Sequence, residues 1–168
     1  AIREDLVLVP DDRKALGVVL THSIGENMTY NNFDHVAPDG WVRPTKARQF
    51  AAEMIRRLGV KGAPEQLAGS RSGGNQQKVV IAKWIARNPK VIILDEPTRG
   101  IDVGARAAIY EVIAELAKSG MAVIVVSSDL EEVLGLSHRV MVMSRGEARG
   151  VLPRAEVDSS KVMELAVI

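Results

Sequence analysis

Val91-Ile92-Ile93-Leu94-Asp95-Glu96-Pro97 is the stretch that decides how the rest of the chain is read. Four consecutive aliphatic residues without polar alternation predict a strand buried on both faces, the way strands of a parallel sheet read. Two adjacent carboxylates end the run and Pro97 stops it. In open α/β sheets ligands bind at the carboxyl ends of the strands, so Asp95 and Glu96 stand where chemistry is expected. Asp95 can hold a Mg²⁺ directly or through water, and Glu96 can polarise an attacking water. Acidic loop residues also end strands with no chemical duty, and this stretch alone leaves both readings open.

Working outward, Val123–Val126 is a second wholly apolar run, and Leu6–Val9 is a third, closed by Pro10, Asp11 and Asp12. Between them Gly104–Lys118 places Ala108, Val112, Ile113 and Leu116 on one helical face, and Ser119-Gly120 ends it. Asp129–Leu134 reads as a short helix and Val140–Met143 as a strand, with Arg145-Gly146 turning into a last strand near Gly150. Apolar strands alternating with helices predict an α/β fold with a parallel sheet. Upstream, Ser23-Ile24-Gly25-Glu26 has the spacing of a capping box. Residues 34–44 read as loop. Over Thr45–Leu58, Ala47, Phe50, Ala51, Met54, Ile55 and Leu58 recur at three and four, an amphipathic helix whose charged face is solvated. Gln76–Arg87 is a further helix, stopped by Asn88-Pro89. The expected organisation is a mostly helical subdomain over residues 21–88, a sheet-bearing half over 89–151 and a helical tail over 152–168.

Composition narrows the function classes. Of 168 residues, 46% are hydrophobic and 26% charged, which is ordinary globular composition and excludes a disordered chain. Lys plus Arg is 22 against 21 Asp plus Glu, a net charge of +1, so no global field exists to hold a nucleic-acid backbone. The absence of cysteine excludes disulfides, zinc ribbons and thiol catalysis. The three histidines, at 22, 35 and 138, are too scattered for a metal cluster, and His138 reads as a surface or packing residue. Met121–Val126 is among the longest apolar runs, far below the ~18 residues a membrane span needs. The opening Ala-Ile-Arg-Glu-Asp is no secretory leader and carries no initiator Met. A soluble, cytoplasmic domain or part of one is expected.

A second segment adds chemistry to the first. In Ser70-Arg71-Ser72-Gly73-Gly74-Asn75-Gln76-Gln77-Lys78, two glycines open a helix. Glycines let backbone N–H groups approach an anion closely, and the helix N-terminus adds partial positive charge. Ser72 adds a hydroxyl donor for the same phosphate. Alone, a Ser-Gly-Gly turn is a common helix entry. Followed by one helix, one strand and Asp95-Glu96, it points to nucleotide chemistry.

The string SGGNQQKVVIAKWIARNPKVIILDEPTRGIDVGA, residues 72–105, resembles the ATP-binding cassette (ABC) ATPases. Ser72, Gly73, Gly74, Asn75 and Gln76 match the family's signature motif. Val91–Glu96 matches its Walker B strand, with Asp95 for Mg²⁺ and Glu96 as the catalytic carboxylate, and Asp102 falls in its D-loop. VPDDRKALGVVLTHSIGENM (9–28) and VSSDLEEVLGLSHRVMVMSRGE (126–147) look like the second cassette of monosaccharide importer ATPases, of the ribose, galactose or xylose kind. The resemblance implies a P-loop NTPase core with a helical subdomain, and ATP and Mg²⁺ as cofactors. It implies a second cassette, fused or as a dimer partner, whose γ-phosphate faces Ser72–Gly74 head to tail. Transmembrane permease subunits, and indirectly a periplasmic sugar-binding protein, are the implied partners, at the inner face of the cell membrane. The alternatives are a degenerate cassette that only completes a partner's ATP site, and a soluble ABC ATPase without a permease.

Departures from the pattern matter as much. None of the 14 glycines is followed by Lys, so the Gly-Lys of a Walker A loop is absent from these residues. Truncation ahead of Ala1 is the expectation, and the isolated chain is expected to be inactive. Asp11 stands where the family has its Q-loop glutamine, Ser128 where it has the switch histidine, and Arg71 where the signature has a leading leucine. Trp84 is expected in the core, Trp41 in a loop that either packs locally or meets a membrane-embedded partner, and Lys78 and Lys83 in solvent.

Overall fold

The computed structural model describes residues 4–167. They divide into two compact units, one up to Val126 and one from Ser127 on. In the first, β1 (Leu6–Val9) leads into a π-helical turn (Arg13–Gly17), then α1 (Ile24–Thr29), α2 (Phe33–Val36), α3 (Pro44–Leu58), a single 3₁₀ turn (Ala68–Ser70) and α4 (Gly73–Ile85). β2 (Val91–Asp95), α5 (Val103–Lys118) and β3 (Ala122–Val126) complete it. All three strands are parallel in the order β1-β2-β3, with Leu8 beside Ile93 and Ile93 beside Ile124. The fold is the α/β arrangement that the apolar runs imply.

Local chemistry sets the helix ends. Ser23 and Glu26 close a reciprocal capping box on α1, Ser23 N–H donating to Glu26 Oε2 at 2.7 Å and Glu26 N–H to Ser23 Oγ at 3.1 Å. α3 starts on Pro44 and stops at Gly59, whose φ of 58° is the left-handed conformation that glycine takes without strain. α4 begins at Gly73, three residues before the apolar pattern does, because Ser72 is extended and serves as the cap position. Asp102 caps α5 by accepting from Ala105 N–H at 3.0 Å.

The sheet corrects one expectation. Val7, Val9, Ile92 and Leu94 are buried on one face, while Leu8, Ile124 and Val126 on the other are about half exposed. β3 contains no fully buried residue. An uninterrupted apolar run therefore marks a strand here without marking burial on both sides: α4 lies against β1 and α5 against β3, and the face bearing Ile124 stays open among the described residues.

The second unit holds α6 (Leu130–Leu136) and a hairpin of β4 (Arg139–Ser144) and β5 (Glu147–Pro153). Arg145 and Gly146 both have positive φ, 50° and 83°, as a two-residue primed hairpin turn demands. β5 runs on to Pro153, and the helix of the tail, α7 (Ser159–Val167), starts later and packs on the hairpin, its Ala166 carbonyl accepting from Ser144 Oγ at 3.0 Å. No helix among the described residues is long and apolar enough to cross a membrane.

Candidate functional site

Three segments of the first unit converge: the loop after β1, the turn that opens α4, and the loop after β2. Asp11, directly after Pro10, accepts from Asp12 N–H at 2.7 Å through one carboxylate oxygen and from Arg99 Nη1 at 2.8 Å through the other. Asp12 Oδ1 accepts from the N–H groups of Lys14 and Ala15, which bends the chain into its π-helical turn. Arg13 is thereby directed inward and is 8% exposed. It donates from Nη1 to the Arg99 carbonyl at 2.7 Å and from Nη2 to the Gly100 carbonyl at 3.0 Å.

At the end of β2, Asp95 is half-buried. Its carboxyl is pushed above the ordinary aspartate range, first by burial, then by the negative charges of Asp11 and Glu96, with Arg99 pulling the other way. Glu96 has φ 45° and donates its N–H to the Val126 carbonyl at 2.8 Å. A non-glycine residue in the left-handed region costs on the order of 1–3 kcal/mol and persists where the surroundings impose it. The chain then turns at Gly100, φ 65°, and reaches the exposed Asp102, whose carboxylate is engaged as the α5 cap.

The α4 turn fits closely onto this loop. A Cβ on Gly73 would lie 2.8 Å from Arg13 Nη2 and 3.2 Å from the Gly100 carbonyl oxygen. One on Gly74 would lie 3.1 Å from Ala105 Cβ. Both glycines sit close against neighbours on the inner side, where a side chain would make those neighbours give way. Ser72 is exposed, and its Oγ accepts from Asn75 Nδ2 at 2.9 Å, so its own O–H stays able to donate. Asn75 is held in turn by Lys61 N–H, donating to Oδ1 at 2.7 Å. Gln76 is 5% exposed and donates to the Arg71 and Ala68 carbonyls, holding the segment before the turn. Arg71 folds back onto Ser70 Oγ and Gln66 Oε1. Ser128 lies in the second unit, just before Asp129, whose carboxylate caps α6. His138 is exposed, as expected.

No group of three or more His, Cys, Asp or Glu side chains is placed to hold a metal among the described residues. Mg²⁺ in a phosphate complex asks for fewer protein ligands, one or two carboxylates, and completes its shell with phosphate oxygens and water. Asp95 fits that requirement as a half-buried carboxylate at the end of β2, with the negative charges of Asp11 and Glu96 nearby.

Two side chains differ from expectation, Lys83 and Trp84. Lys83 is no solvated residue: it donates to the Gly17 carbonyl at 2.6 Å, and burial lowers its pKa. Lys78 reaches the Gly59 carbonyl at 3.3 Å. Trp84 is only half-buried and lines a groove of about 340 Å³ with Tyr30, Asn31, Phe33, Asp34 and Arg87. Helical spacing places Trp84 beside Val80 and Ile81 without telling that its ring also faces this open groove. Trp41 is 82% exposed. Arg13 was invisible for a related reason, since an Arg between acidic residues and Lys14 reads as solvated.

Residues 4–99 match the family profile of the ABC transporter. The chain belongs to the ABC transporter family. It is 46% identical, over 99% of its length, to the ribose import ATP-binding protein RbsA of Shouchella clausii and equally to that of Halalkalibacterium halodurans. It spans about a third of each relative, 34% in both cases. Among solved structures it resembles cbiO1 of Clostridium perfringens, part of the ABC transporter complex cbiONQ (TM-score 0.76, 24% identity, 96% of this chain and 62% of that one). It also resembles a dimeric ATP-binding cassette in a post-hydrolysis state bound to ADP and Pi (TM-score 0.72, 21% identity, 91% and 65%). The fold of this ABC chain is therefore that of the ABC ATPases.

Proposed function

We propose that this chain forms the signature and Walker B portion of the ATPase subunit of an ABC importer for a monosaccharide. In this reading residues 21–88 are the helical subdomain, docked on permease subunits at the cytoplasmic face of the membrane, and a second cassette completes the ATP sites. The observation that carries it is the packing of the Ser72–Gly74 turn against the loop that leaves Asp95 and Glu96. The cargo class is supported by the ribose import relatives, which match this chain almost end to end.

Bound Mg-ATP supplies the phosphoanhydride that is cleaved. Ser72 O–H and the N–H groups of Gly73 and Gly74 donate outward to a γ-phosphate held by the opposing cassette, helped by the positive end of α4. Asn75 keeps Ser72 oriented, and Gln76 holds the segment that precedes it. In the chain's own site Asp95 would hold the Mg²⁺ and Glu96 would take the proton of the attacking water. By resemblance alone, Asp11 stands at the family's glutamine position and Ser128 at its switch-histidine position; a serine hydroxyl does not reach or charge as an imidazole does, so this second site is taken as the weaker one.

The test is steady-state ATPase of the full-length transporter with Ser72→Ala and Glu96→Gln measured side by side. Loss of a donor acting on developing charge lowers turnover by ~10²–10³-fold. Ser72→Ala is expected to be the more damaging variant. Equal damage from Glu96→Gln would refute the inequality of the sites.

A further inference from the structure

Arg13 has no duty in the mechanism above, yet its placement is unusual. A buried guanidinium beside the first turn of α4 sets positive charge against the positive end of a helix, which is unfavourable unless acceptors or an anion offset it. The acceptors present are the Arg99 and Gly100 carbonyls, at 2.7 and 3.0 Å. Its Nε–H finds no acceptor among the described residues, so every bond its head group makes goes to the loop after β2. The same Nη2 lies where a Gly73 side chain would be. Arg13 therefore touches all three segments of the site: it belongs to the loop after β1, bonds the loop after β2, and packs on the turn that opens α4.

We propose that Arg13 is a positioning residue that clamps the Ser72–Gly74 turn to the Arg99–Asp102 loop, so that the donors offered to the opposing cassette and the carboxylates of the chain's own site keep one fixed geometry. Two carbonyls on successive residues need the two-pronged donor of Arg, and the single ammonium of Lys cannot hold both in the same plane. The placement also adds positive potential beside Gly73. The inference rests on the reading of Ser72–Gly74 as donors to phosphate.

The experiment uses the full-length transporter with Arg13→Lys and Arg13→Met, each alone and combined with Ser72→Ala, and Lys14→Ala as an exposed neighbour that should leave turnover unchanged. Misplacing catalytic groups by about an ångström costs up to ~10²-fold, so either Arg13 variant should lower kcat by ~10-fold or more with KM for ATP within about threefold. Since Arg13 acts through the turn, adding its variants to Ser72→Ala should lower kcat by less than about twofold more. Amide hydrogen exchange should quicken at residues 72–75 and 99–102 together. If Ser72→Ala is harmless, the donor reading itself fails. If Ser72→Ala is damaging but the Arg13 variants leave kcat within about twofold, change only KM, or multiply fully with Ser72→Ala, the clamp is refuted. Failure of both Arg13 variants to assemble would also refute it, by assigning Arg13 to the fold.

Discussion

Gly74 gives the most direct check on how the α4 turn is seated. A methyl placed there sits 3.1 Å from Ala105 Cβ and 3.7 Å from Ile101 Cγ2. Carbon atoms in contact prefer ~3.5–4.0 Å, so Gly74→Ala forces the turn and the first turn of α5 apart by a few tenths of an ångström. Overpacking of this size costs typically ~1–3 kcal/mol. The relief can be engineered from the other side, because Ala105→Gly removes the opposing methyl, at a cost below the ~1 kcal/mol that glycine carries in a helix interior, position 105 being in the first turn. Thermal unfolding should show Gly74→Ala destabilised, and the Gly74→Ala/Ala105→Gly pair recovering most of the loss. ATPase of the full-length transporter should follow the same order, since the donors at 72–74 move with the turn. A Gly74→Ala protein as stable as the parent, or a pair no better than Gly74→Ala alone, would refute the packing reasoning.

Two further outcomes follow from the site. Burial and the neighbouring Asp11 and Glu96 raise the Asp95 pKa in the folded state, so ionisation at neutral pH works against folding; Asp95→Asn should raise the melting temperature at pH values above that raised pKa, and the gain should vanish as pH falls below the ordinary aspartate value of 3.8. A gain that persists at pH 3, or none at pH 7, would contradict the stated cause. Asp102→Ala removes the α5 cap and should destabilise by ~1 kcal/mol in denaturant titration, with Asp102→Ser retaining most of the stability; equal loss in both would show that the cap is not what Asp102 contributes.

Much of this fold is legible in the sequence because its signals are local. Ser23 and Glu26 make their capping box wherever the helix packs, and Arg145-Gly146 needs only its own backbone angles to turn a hairpin. Val91–Leu94 announces a strand by composition alone. Other features depend on what lies across the fold. Nothing in Val123–Val126 distinguishes a strand with one open face from one covered on both. Lys83 reaches Gly17 across 66 positions, and Trp84 shares a groove with Tyr30 and Phe33 only because the fold brings α4 against α1. Gln76, grouped by resemblance with the nucleotide-binding residues, turns inward, a direction set by the burial of its helix face and by no pattern within the motif.

The Asp11-Asp12-Arg13 run illustrates the same division at the level of function. Aligned by resemblance, it is a place where a glutamine is missing. In three dimensions each residue has a separate use: Asp11 pairs with Arg99 and adds negative charge beside Asp95, Asp12 caps the turn, and Arg13 reaches the carbonyls behind that pair. Asp11 and Arg13 both terminate on the loop that leaves Asp95 and Glu96, one on the side chain of Arg99 and one on its carbonyl. A glutamine at position 11 would bring an amide but no charge to hold Arg99, and the loop would lose one of its two ties. The departure from the family pattern is thus accompanied by a second set of contacts between the same two loops, which is why the run is better understood as wiring than as decay.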